Sequence, residues 1–234
     1  MNLIWEGFLE ALRLVAGRDP LVLGAAFRSL WISAAAVTLA TAIGLPAGTA
    51  LARRAWPGKR FVILAARGGM AVPTVFVGIV CYALFSRRGP LGPIELLYTP
   101  WAIMVGELLL ALPIVLCITH GAVQALDPRV GETALTLGAG PLRRWRTYIS
   151  EARVGVMLGV LTAFARCVTE LGIAMIVGGN IKERTRTLAT ATALETGKGE
   201  FARGLAMGVL LLVIALTVTI LIAAITREQP DGNR

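Results

Sequence analysis

The sequence predicts an all-α integral membrane fold, with about five transmembrane helices and an N-terminal amphipathic helix at the interface. Three observations predict it. Apolar residues make up 56% of the 234 and mean hydropathy is +0.73. Charged residues make up only 16%, against about 25% in an ordinary soluble domain. Five apolar stretches, at about 27–51, 61–85, 101–122, 154–178 and 204–225, are each long enough to cross a bilayer. At 1.5 Å per residue they reach roughly 33–37 Å, against a hydrocarbon core of about 30 Å. Helices are required because backbone groups in lipid must be satisfied within their own segment. The alternation of a membrane barrel is absent.

Residues 1–20 form a separate N-terminal segment. Ile4, Phe8, Leu12 and Val15 recur at helical spacing, while Glu6, Glu10 and Arg13 fall on another face. This pattern predicts an amphipathic helix at the interface beside Trp5, ended by Gly17-Arg18-Asp19-Pro20. Without a basic start, and with two glutamates interrupting it, it is not expected to be a signal peptide. Residues 53–60, RRAWPGKR, form a short basic connection. Residues 86–100 carry three prolines and read as a kinked loop, and residues 179–203 read as a polar loop of mixed charge. The tail at 226–234 is short.

The net charge of +9 first suggests nucleic acid, but basic residues do not interleave with aromatics here. Lys and Arg gathering in loops beside spans is the ordinary membrane pattern. The positive-inside count is indecisive, with 11 Lys/Arg on one side and 10 on the other once Arg67 and Arg166 are set aside. Cys81, Cys117 and Cys167 are far apart in apolar runs and His120 has no ligand partner at a useful spacing, so no metal site is expected.

The longest connection, 123–153, holds the most informative stretch, ETALTLGAGPLRRW at 132–145. Asp127-Pro128 is an N-cap followed by proline at the first helical position, predicting a helix over about 128–137. Gly138-Ala139-Gly140-Pro141 must break it, and a second helix over about 141–149 follows. The result is a helix–turn–helix elbow at about 126–150. From the residues alone, a solvated loop touching lipid headgroups and a docking element stand equal.

Glu132-Thr133-Ala134, three residues and then Gly138 resemble the EAA loop of permease subunits in binding-protein-dependent ABC importers. Thr133 stands where alanine is usual, and Ile149-Ser150-Glu151-Ala152 replaces the common Leu-Pro exit. Val72-Pro73-Thr74 and the run Ala165–Gly172 leading to Gly178-Gly179-Asn180 are also similar to that family. Together with Thr185–Leu188 and Leu194–Gly199, they look most like its tungstate and molybdate branch. The resemblance covers about 25–225. It implies a type I ABC importer permease fold, a cytoplasmic coupling elbow with Glu132, Ala134, Gly138, Arg143 and Arg144 at the ATPase, and a cytoplasmic C-terminus with the N-terminus outside. It also implies a homodimer in the plasma membrane, two ABC ATPase subunits and an extracytoplasmic solute-binding protein. No GxxxxGK[ST] loop is present, so ATP and Mg are expected on the partner ATPase and no cofactor on this chain.

Arg166 and Glu170 lie deep in the expected fourth span, where a charge costs roughly 2.5–3.5 kcal/mol. Four residues apart, they can pair on one helix face. The pair is either a lock for helix packing or part of a translocation path or gate. Pro73, which should bend the second span with Gly68-Gly69, and Asn180, in the turn after the fourth, join it as candidates for that path. A stand-alone channel or secondary carrier using Arg166, Glu170 and Glu107, a membrane scaffold, and an importer of sulfate or another small solute are the alternative functions.

Overall fold

The computed structural model describes residues 2–17 and 19–227, and they form eleven α-helices and a short 3-10 turn at 92–94. The amphipathic segment is α1 (Asn2–Ala16). It packs along the last helix, α11 (Phe201–Arg227), with Leu14 buried beside Ala206 and Met207. Arg18 and residues 228–234 of the tail lie outside the described residues.

Helix α2 (Pro20–Arg53) begins earlier than the expected span at 27–51. Asp19 is the reason: its Oδ1 accepts from the Leu21 and Val22 amides at 2.8 and 3.2 Å, and Pro20 occupies the first turn. The helix packs along most of α5 (Pro100–Gln124). Gly44 and Gly48, one turn apart, let the two backbones approach. A Cβ on Gly48 would stand 2.8 Å from the Leu116 carbonyl oxygen.

Two expected spans are not single helices. The stretch 61–85 is α3 (Lys59–Ala71) and α4 (Thr74–Phe85), bent by 100°. The break falls at Val72-Pro73, both extended at ψ near 130°, because a residue before proline is driven out of the α region. Gly68-Gly69 stays helical instead of bending the chain. Gly69 serves close packing, where a Cβ would lie 3.3 Å from Pro113. The stretch 154–178 is α8 (Arg153–Val168) and α9 (Gly172–Gly178), interrupted at 169–171. By length and composition, three helices among the described residues, α2, α5 and α11, are long and apolar enough to cross a membrane, or up to five if α3 with α4, and the helix Pro141–Glu151 with α8, each make one bent span.

Residues 179–203 are not simply a loop. They contain α10 (Leu188–Gly197), with Leu188, Ala189, Thr190 and Ala191 buried against α2 and α11. Thr187 and Thr190 form its reciprocal capping box. The main core sits where α2, α4, α5, α8 and α9 meet, around Ile32, Cys81, Ile103, Val115, Cys167 and Ile173.

Candidate functional site

The elbow is two short helices, α6 (Pro128–Thr136) and α7 (Pro141–Glu151). Asp127 caps the first through the Arg129 amide at 2.8 Å. The turn then closes as a Schellman motif: the Gly138 amide donates to Leu135 O and the Ala139 amide to Ala134 O, both at 2.9 Å. Gly138 has φ +72°, the left-handed region, and open space around its α-carbon. Its requirement is conformational rather than steric.

Glu132, Gly138 and Arg143 are exposed, Arg144 is half-buried, and Ala134 is buried. Ala134, Leu137 and Arg143 line one open cleft of about 580 Å³ between the helices, with Asp127, Arg129 and Glu151 at its edges. The elbow thus presents both signs of charge around an apolar floor. At Ala152 the chain turns by 75° from α7 into α8.

The second cluster lies at the two breaks. Glu170 is 3% exposed. It sits just after α8 has ended, not on a continuous helix, yet its Oε2 accepts from Arg166 Nη1 at 2.8 Å. Its Oε1 accepts from the Ile173 amide at 3.1 Å, so the same carboxylate caps α9. The two breaks meet: a Cβ on Gly172 would stand 3.2 Å from Thr74 Oγ1 and 3.3 Å from Glu170 Oε1. Pro73, exposed, therefore lies beside this cluster. Arg166, by contrast, leaves 43% of its side chain on the surface of the chain.

Asn180 is elsewhere. It follows α9 at φ +50°, and its Oδ1 accepts from Arg186 Nε at 3.1 Å, which organises the turn 179–187. Glu107 is buried on α5, its backbone carbonyl accepting from Cys167 Sγ at 3.6 Å. Arg67 is exposed and forms no ion pair with it. Sequence reasoning missed the residues that join elements: Arg53, Tyr148, Arg28 and Ser29. They stand singly, and nothing in their spacing foretells their partners. Thr187-x-x-Thr190 before an alanine-rich run was the available signal for α10.

Comparison with solved structures gives the fold as that of a type I ABC importer permease. In the MetNI methionine ABC transporter, solved facing inward, the matching chain superposes with a TM-score of 0.71 at 19% identity, over 89% of this chain and 96% of that one. The family model for the binding-protein-dependent transport system inner membrane component matches residues 40–229, and the chain belongs to that family of multi-pass membrane proteins. It is 35% identical to the tungstate uptake system permease protein TupB of Peptoclostridium acidaminophilum, over 97% of this chain and 100% of that protein. It is 28% identical to the molybdenum transport system permease protein ModB of Escherichia coli K12, over 86% and 93%.

Proposed function

We propose that this chain is the permease subunit of an ATP-driven tungstate importer. The elbow carries this reading. A turn that demands glycine at 138 sits between two helices whose charged rims are exposed around a cleft, and that is the geometry of a surface meant to be gripped. The greater identity to a tungstate permease than to a molybdenum one favours tungstate within the oxyanion class.

In this reading the chain hydrolyses nothing itself. Two of these chains pair, and each elbow docks on an ATPase subunit that holds ATP and Mg. Glu132 faces a basic group there, Ala134 and Gly138 shape the contact, and Arg143 and Arg144 steer it. The elbow and the C-terminus are cytoplasmic, the N-terminus is outside, and a solute-binding protein delivers the oxyanion to the far face. Closure of the ATPase pair moves the elbows and rocks the broken spans between outward-facing and inward-facing states.

The junction of the two breaks is proposed as the gate. A guanidinium half-exposed among apolar spans is costly against lipid, and it is at ease against a water-filled path. Arg166 paired to Glu170 would meet an anion there, with Pro73 holding α4 at the opening. Asn180 would shape the outer turn.

The first test is capture of a tungstate-type importer ATPase by the detergent-solubilised chain, beside Gly138→Pro. The wild type should bind and the variant should not. Equal binding would remove the elbow from the interface, and binding by neither would sink the importer reading. For the gate, Arg166→Ala with Glu170→Ala should abolish tungstate uptake at normal expression. Full uptake by that double variant would end the gate role.

A further inference from the structure

The elbow is joined covalently to α5 and α8, yet the side chain that grips it belongs to α2. Arg53, in the last turn of α2, places its guanidinium 4.6 Å from the centre of the Tyr148 ring, on α7. Its Nη2 also donates to the carbonyl of Leu126 at 3.4 Å, one residue before the cap of α6. One cation thus touches both the entrance and the exit of the elbow. The fit is built in. Gly131 of α6 has no Cβ because the Tyr148 hydroxyl occupies that space. Tyr148 packs on a small core of Leu45, Val123, Ala152 and Val156, where α2, α5 and α8 converge.

The N-terminal part of α2, more than two turns in from Pro20, is fastened as well. Arg28 Nε donates to the Arg186 carbonyl at 2.8 Å, and Ser29 Oγ accepts from the Leu188 amide at 2.9 Å. The contacts land on the turn 179–187 and the first residue of α10, the far side of the bundle from the elbow. Arg186 in turn holds Asn180 through its Oδ1 and its carbonyl, at 3.1 and 3.3 Å. Ser29 and Arg53 are twenty-four residue steps apart along the helix, about 36 Å. The Gly44 and Gly48 crossing binds this rod to α5 along its length.

We infer that α2 is a coupling rod: Arg53 clips it to the elbow and Arg28 with Ser29 clip it to the opposite turn, so that elbow movement and the state of that turn are linked through one helix. In a transporter this ties the ATPase side to the side where a loaded binding protein arrives. The inference rests on the importer reading proposed above. Arg53, Tyr148 and Arg28 are positioning residues, since none meets substrate. The physical warrant is a continuous helix with a specific contact near each end; Pro46 removes one ladder bond at the close crossing with α5, so the coupling runs through α2 and its packing on α5 together.

The experiment uses the full chain in nanodiscs with the ATPase and the tungstate-loaded binding protein, and reads the stimulation of ATP hydrolysis by that protein. Arg53→Ala and Arg28→Ala should each lower stimulation about tenfold, in the range of ordinary coupling energies. Basal hydrolysis and ATPase-subunit binding should stay within twofold. Arg53→Lys, which keeps a cation over the ring, should recover most of the loss. Arg28→Ala with Arg53→Ala together should be no worse than the lower single variant, because both cut one route. Arg53→Met and Arg28→Met, which keep an unbranched stem but neither charge nor donor, give the same reading if an alanine variant does not assemble. Unchanged stimulation in both singles, or a double loss equal to the product of the two, would overturn the rod. An unstimulated wild type would overturn the importer reading itself, a result no variant can mimic.

Discussion

The elbow and the junction of the breaks are both interruptions of helix, yet they are built in opposite ways. The elbow, Pro128–Glu151, closes its turn with backbone alone and leaves Glu132, Leu137, Gly138 and Leu142 exposed. The junction hides Glu170 and uses one carboxylate both to pair Arg166 and to cap α9. A surface proposed to dock, as the elbow is, needs a defined shape and little burial. An interruption among apolar helices needs every freed polar group answered. Damage should therefore appear as lost partner affinity at the elbow and as lost stability at the junction.

Glu170→Ala tests that contrast hardest. It removes a cap and strips Arg166 of its partner. The loss should be about 2 kcal/mol of stability, below the figure for a fully buried pair because Arg166 is half-exposed. Thermal unfolding in detergent checks it, and an unshifted midpoint would show the junction is not held by this carboxylate. Gly138→Val comes next. A β-branched residue forced to φ +72° costs about 1–2 kcal/mol, and most of it should appear as roughly tenfold weaker binding to the ATPase at near-normal thermal stability. If stability falls and affinity holds, the contrast is wrong.

Asp127→Ala should be milder, about 1 kcal/mol, confined to faster hydrogen exchange at the start of α6. The smallest effect is expected at Thr169, which sits at the junction but is exposed and whose hydroxyl donates to the Ala165 and Arg166 carbonyls of the preceding helix. Thr169→Ala should change stability by under about 0.5 kcal/mol. A larger change would extend the sensitive part of the junction to its surface.

Much of the elbow was legible in the residues. Asp127-Pro128, Gly138 and Gly140-Pro141 act on their nearest neighbours, so caps and breaks could be read where they stand, and α6 and α7 fall within two residues of expectation. The ion pair at the junction was equally local, a matter of four positions. The apparent continuity of 154–178 misled, because hydropathy records affinity for lipid and not helical unity. A glutamate buried at 170 can end one helix and begin another without changing the apolar count.

What the sequence determined alone was therefore the membrane class, the elbow and its turn, and the break at Pro73, each a consequence of composition or of contacts a few residues apart. Only the tertiary structure decided that the two breaks face one another through Thr74 and Gly172, that 188–197 is a packed helix, and that α2 is held near both ends. Those outcomes join residues such as Arg28 and Arg186, 158 positions apart. A pairing at that distance is chosen by how the helices pack, and no single segment carries a record of it.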